Sequence, residues 1–157
     1  MTAFRIDYLA DCPQHLALVA AWQQAEFGYL NPAITLEQRE ARLRESLQGG
    51  GLPLTLVAVS DDGVPCGAAT LLPRTITHPH LTPWLSTVVV PRACRGRGIA
   101  SALSLRIASE AARLGFPTIY LFTPHNASLY RRAGWATIEM AELNGAPITI
   151  MARSTSV

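Results

Sequence analysis

The sequence predicts an α/β (α+β) domain, a mixed central sheet of about six to seven strands with helices on both faces. Three observations carry that expectation. Short apolar runs such as Leu54–Val59 and Thr118–Thr123 have the length of buried strands. Longer segments with apolar residues three and four apart have the period of helices. Glycine, proline and asparagine fall between these segments, where turns need them. The chain has 157 residues, 49% hydrophobic and 15% charged, which suits one core-rich domain over residues 1–153 with a frayed tail at 154–157.

Phe4–Leu9 alternates weakly and reads as a first strand. Asp11-x-x-Gln14, with Pro13 in the first turn, signals a helix start. Leu16, Val19, Ala20 and Phe27 give that helix its apolar stripe, and Gly28 its stop. Beyond the loop Tyr29–Pro32, Thr35-x-x-Gln38 is a capping box for a second helix. Leu36, Leu43 and Leu47 form its buried seam, and Gly49-Gly50-Gly51 ends it. Leu54–Val59 and Cys66–Leu72 flank Asp61-Asp62-Gly63, a hairpin signal. A proline-rich loop leads to a strand at Trp84–Val90. Gly98–Leu114 places Ile99, Leu103, Ile107, Ala111 and Leu114 on one helical face, closed by Gly115 and Pro117. Thr118–Thr123 is a strand, and Asn126–Ala133 a short helix ended by Gly134. Trp135–Leu143 and Pro147–Arg153 form a last hairpin around Asn144-Gly145. The order is β-α-α-β-β-β-α-β-α-β-β.

Composition removes several chemistries. All 13 basic residues are arginine, so there is no Schiff-base lysine, lysine nucleophile or phosphate-loop lysine. A net charge of +2 argues against a nucleic-acid partner. Cys12, Cys66 and Cys94 are odd in number and widely spaced, which supports neither a disulfide framework nor a metal site and points to a reducing, cytoplasmic compartment. The charge-free run Thr75–Pro91 carries three prolines, so no membrane partner is expected.

Charge distribution is more telling. No Asp or Glu occurs from Gly63 to Ser109, while Arg92, Arg95 and Arg97 crowd into six residues. They belong to the segment Val88-Val89-Val90-Pro91-Arg92-Ala93-Cys94-Arg95-Gly96-Arg97-Gly98-Ile99-Ala100. A strand ends at proline, a basic glycine-bearing loop follows, and a helix opens at once. The first helical amides lack partners and the helix dipole favours an anion there. Glycine at 96 and 98 lets the backbone approach oxygen atoms closely. A dinucleotide fingerprint would need glycine where Ser101 stands and an acid after Ile119–Thr123, and neither is present.

Arg95-x-x-Gly98-x-Ala100 after a valine-rich strand resembles the pyrophosphate motif of the GCN5-related N-acetyltransferase (GNAT) superfamily. Downstream, Asn126-Ala127-x-Leu129-Tyr130-x-x-x-Gly134-Trp135 is similar to that family's following helix, although the alanine is displaced and tryptophan replaces the usual phenylalanine. The resemblance implies the GNAT-like fold and acetyl transfer from acetyl-coenzyme A to a primary amine of a small acceptor, by direct attack in a ternary complex and with no metal. It implies that the backbone of Arg95, Gly96, Arg97, Gly98, Ile99, Ala100 and Ser101 holds the pyrophosphate. Val88, Val89 and Val90 would bind the pantetheine arm, with an amide near Val88 facing the thioester carbonyl. Asn126 is a helix cap by its position and a coenzyme contact by resemblance. Tyr130 would be the general acid.

The base is open. Many relatives carry Glu where this chain has Ser86 or Thr87, which leaves His80, His78, Glu26 or a water as candidates. The loops Tyr29–Pro32 and Thr77–Trp84 would border the acceptor. His125 would contact coenzyme or nothing; Arg131 and Arg132 read first as a solvated helix face and second as contacts to the coenzyme's 3′-phosphate. The alternative is a catalytically inactive acyl-coenzyme A-binding sensor or partner module, and either version could be monomer or homodimer.

Overall fold

The computed structural model describes residues 3–75 and 77–156. Strands β1 (Phe4–Tyr8), β2 (Leu54–Ser60), β3 (Pro65–Leu72), β4 (Trp84–Val89), β5 (Thr118–Thr123), β6 (Ala136–Leu143) and β7 (Ala146–Ser154) form one sheet. Its order is β1-β2-β3-β4-β5-β7-β6. Every neighbouring pair is antiparallel except β4–β5. Helices α1 (Leu16–Phe27), α2 (Leu36–Glu45), α3 (Ile99–Arg113) and α4 (Ala127–Arg132) complete the predicted order.

The period of two along β2 explains the layers. Leu54, Leu56 and Ala58 join Ile99, Leu103, Ile107 and Ala111 of α3 on one face. Val57 and Val59 join Val19, Ala20 and Leu43 of α1 and α2 on the other. A strand buried on both sides reads as a continuous apolar run. Gly67 of β3 marks the closest approach of α3: a Cβ there would lie 2.8 Å from Ile99 Cγ2 and 3.1 Å from Leu103 Cδ1. A third cluster, around Trp84, Leu143, Ile148 and Ile150, fills the sheet beyond β4.

Several local expectations are corrected. The Asp11–Gln14 start does not form a cap: single 3-10 turns at Leu9–Asp11 and Pro13–His15 precede α1, which has no side-chain cap. The Thr35–Gln38 capping box is present in both directions. The seam of α2 nevertheless starts one turn later than predicted. Leu36 is 39% exposed, and buried Arg39 faces α1 instead, its Nε donating to Gln24 Oε1 at 2.6 Å. The helix stops before the three glycines, with Ser46 Oγ donating to Leu43 O. Within the tail, Thr155 is held by its amide, which donates to Pro117 O, and by its hydroxyl, which donates to Phe116 O, while Val157 lies outside the described residues. Among the described residues no helix is long and apolar enough to cross a membrane.

Candidate active site

After β4, a 3-10 turn at Arg92–Cys94 leads to Gly96 and Gly98, with φ of +82° and +75°. Such left-handed backbone favours glycine. Gly98 is the N-cap of α3, and the first bond into the helix runs from Ala102 N to Gly98 O at 3.0 Å. Among the described residues, no protein acceptor takes the amides of residues 96–101. A Cβ at Gly96 or Gly98 would meet nothing within 4 Å. The turn therefore presents open, partnerless donors at the positive end of a fifteen-residue helix, the requirement for holding a pyrophosphate.

The arginine side chains are turned elsewhere. Arg95 Nε donates to Val90 O at 3.0 Å, and its guanidinium reaches to 3.9 Å of Glu26. Half-buried Arg97 lies towards the β2–β3 turn, where the Ser60 hydroxyl and, more weakly, Arg97 hold the Asp62 carboxyl below its ordinary range. The free donors of the turn are thus main-chain amides and not guanidinium groups.

Beside the turn the sheet opens. The parallel strands β4 and β5 pair only at Trp84 and Tyr120. Opposite them, the β3–β4 ladder slips between Ala68 and Thr70, and Thr87 has a φ of +49°. This bulge bends β4 away from β5. Gln23, buried in the stripe of α1, donates from Nε2 to Thr87 Oγ1 at 3.2 Å and supports the bend. The gap is a cleft of about 460 Å³ with walls from Leu85, Thr87 and Val88 on one side and Leu121–Thr123 on the other. A smaller hollow of about 280 Å³ lies between the N-terminal half of α3 and the end of α4.

Tyr130 lines both spaces. Its ring stands edge-on to Trp135 at a centroid distance of 6.0 Å, and burial pushes its phenol pKa above the ordinary value. Its hydroxyl bonds to no protein group among the described residues and is accessible from the cleft. Asn126 also lines the cleft, but its side chain does not cap α4. Thr123 Oγ1 accepts the amides of His125 and Asn126 instead, because the end of β5 brings that hydroxyl under the turn.

Of the candidate bases only Glu26 lines the cleft. His78 is drawn away to Glu139 of β6 at 2.6 Å and lies tilted against Trp84, and His80 tilts against His78. His125 faces the cleft and bonds through Nε2 to the Tyr29 hydroxyl at 3.0 Å. The Tyr29–His125 pair and Gln23 were not assigned from sequence. Gln23 had a visible signal, a polar residue inside the spacing of the α1 stripe; the pair, 96 residues apart, had none.

The sequence matches the model of the Acetyltransferase (GNAT) family over residues 16–135. Three solved structures show the same fold along nearly the whole chain. One is a GCN5-related N-acetyltransferase from Kribbella flavida, 23% identical, covering 97% of this chain and 98% of that one at a TM-score of 0.71. Another, an aminoglycoside 6′-N-acetyltransferase complexed with coenzyme A, is 16% identical with 98% of each chain covered and a TM-score of 0.76. The third, a spermidine/spermine N-acetyltransferase from Vibrio cholerae, is 15% identical, covering 98% and 93% at 0.70. No curated protein matches the sequence. With its anion turn, splayed strands and family match over most of its length, the chain belongs to the GNAT family of acetyltransferases.

Proposed function

We propose that the protein transfers the acetyl group of acetyl-coenzyme A to the primary amine of a small acceptor by direct attack in a ternary complex. The supporting observation is the run of unpartnered amides at residues 96–101, set beside a cleft that opens between two parallel strands. The bound coenzyme supplies an activated thioester acetyl. Amides from Gly96 to Ser101 hold its pyrophosphate, with Arg95 contributing main chain more than side chain. Residues Val88–Val90 offer a bulged strand edge to the pantetheine arm, and the Val88 amide stabilises the oxyanion that develops as the amine attacks. Asn126 borders the arm at the start of α4.

Tyr130 donates the proton that the leaving thiolate needs. A thiol ionises near 8.5 and a phenol near 10, so this transfer is uphill by only about 2 kcal/mol, a small cost carried by collapse of the tetrahedral intermediate as the C–S bond breaks. Burial raises the Tyr130 pKa further, which keeps the donor protonated across the neutral and alkaline range. Glu26 is the carboxylate placed to take the amine's proton, directly or through water. Three free thiols fit the reducing, cytoplasmic compartment this reading assigns.

The test is Tyr130→Phe. Its kcat should fall by roughly 10²–10⁴-fold, the usual weight of a general acid, with coenzyme affinity and melting temperature held. An unchanged kcat overturns the assignment. Coenzyme binding without turnover on any amine would instead leave an acyl-coenzyme A-binding module.

A further inference from the structure

We infer that the acceptor end of the cleft takes an amine with one positive charge and a flat aromatic or apolar body, and discriminates against polycations. The inference rests on the transferase reading above and concerns the end built by the C-terminus of α1 and the β5–α4 loop.

Charge comes first. Among the described residues that line the cleft, Glu26 is the one carboxylate, and Arg95 already lies 3.9 Å from it. Glu110 is committed to the far end of α3, and Glu139 holds His78 on β6. Each ammonium taken out of water needs a compensating acid or dipole. The Arg95–Glu26 pair is long and exposed on both sides, so this one carboxylate at the carbonyl end of α1 still provides for one ammonium and leaves nothing for a second or third.

Shape comes next. The Tyr29 and His125 rings lie within 15° of parallel at a centroid distance of 6.4 Å, fixed by their 3.0 Å bond. That bond joins the α1–α2 loop to the β5–α4 loop and engages the Tyr29 hydroxyl with His125 Nε2. The ring faces and His125 Nδ1 are left for a ligand, and Tyr29 is 60% exposed. Phe27, Phe122 and Pro124 extend this wall into the cleft. An aromatic face attracts both an ammonium and a flat apolar body, whereas a chain of hydroxyls or amines finds few partners there.

The experiment compares coenzyme release with 2-phenylethylamine and tyramine against spermidine and kanamycin. The arylalkylamines should show kcat/KM at least about tenfold above the polycations, equivalent to about 1.4 kcal/mol. Tyr29→Ala should raise KM for 2-phenylethylamine several-fold while coenzyme affinity and melting temperature stay constant, and Tyr29→Phe should retain most of the affinity. Preference for spermidine or kanamycin, or an unmoved KM in Tyr29→Ala, overturns the inference and leaves the transferase reading standing. Coenzyme binding with no turnover on all four amines overturns the inference alone; the transferase reading falls only when a broad panel of other primary amines is inert as well.

Discussion

The two ends of α3 are built by opposite rules. At its C-terminal end Glu110 is 5% exposed and fully engaged: Tyr8 Oη donates to it at 2.8 Å, Arg113 at 3.0 Å and Arg106 at 3.3 Å. Arg106 also lies 5.5 Å above the Tyr8 ring. At the N-terminal end, the amides of residues 96–101 bond to no protein group among the described residues, and two left-handed glycines keep side chains away. Between the ends, Ile99, Leu103 and Ile107 bind the helix to the sheet as one rigid body. A folded protein satisfies its buried polar groups, as the closed network at Glu110 does, whereas the largely exposed amides at the other end are left to water or to a ligand.

That contrast can be broken most severely at Gly98. Gly98→Glu puts a carboxylate where an anion binds; two like charges about 4 Å apart near a surface repel by several kcal/mol. Coenzyme A affinity measured by calorimetry should fall by about a hundredfold or more. The fold should survive, because the left-handed strain is only about 1–2 kcal/mol and the space is open.

Glu110→Gln tests the other end. It should lower unfolding free energy by about 1–3 kcal/mol, measured by urea denaturation, with coenzyme affinity unchanged. The network also has a pH signature. Desolvation pushes the Glu110 pKa up, but the hydrogen bonds from Tyr8, Arg113 and Arg106 outweigh it and hold the carboxyl below its ordinary value. Its contribution is therefore complete above the unfolded value of about 4.3 and is lost as pH falls below it. Urea midpoints at pH 7 and pH 3 should differ less for Glu110→Gln than for the parent.

The smallest effect belongs to Arg95→Ala. Its guanidinium is spent on Val90 O and an exposed pair with Glu26, so coenzyme affinity should change by less than about fivefold. A larger loss would return the side chain to the phosphate site and weaken the case for a backbone cradle.

Much of this was legible beforehand, because local chemistry decides it. The glycines at 96 and 98, the Thr35–Gln38 box, the Asn144-Gly145 turn and the period of α3 each act within a few residues. The start of α1 was misread for the same local reason: Asp11 and Gln14 have the right spacing, yet Pro13 opens a separate 3-10 turn. The face of α2 depended on where α1 lies, and no pattern in residues 36–47 reports that.

The sequence by itself determined the elements, their order and the anion turn, since propensity, period and left-handed glycine are properties of neighbours along the chain. Only the tertiary structure decided the rest: the single β4–β5 pairing, the Gln23 support behind Thr87, the withdrawal of His78 to β6, and the meeting of Tyr29 with His125. Those are contacts between segments as much as 96 residues apart. They exist because packing two helical layers on a bulged sheet brings distant loops to one opening, which no local pattern encodes.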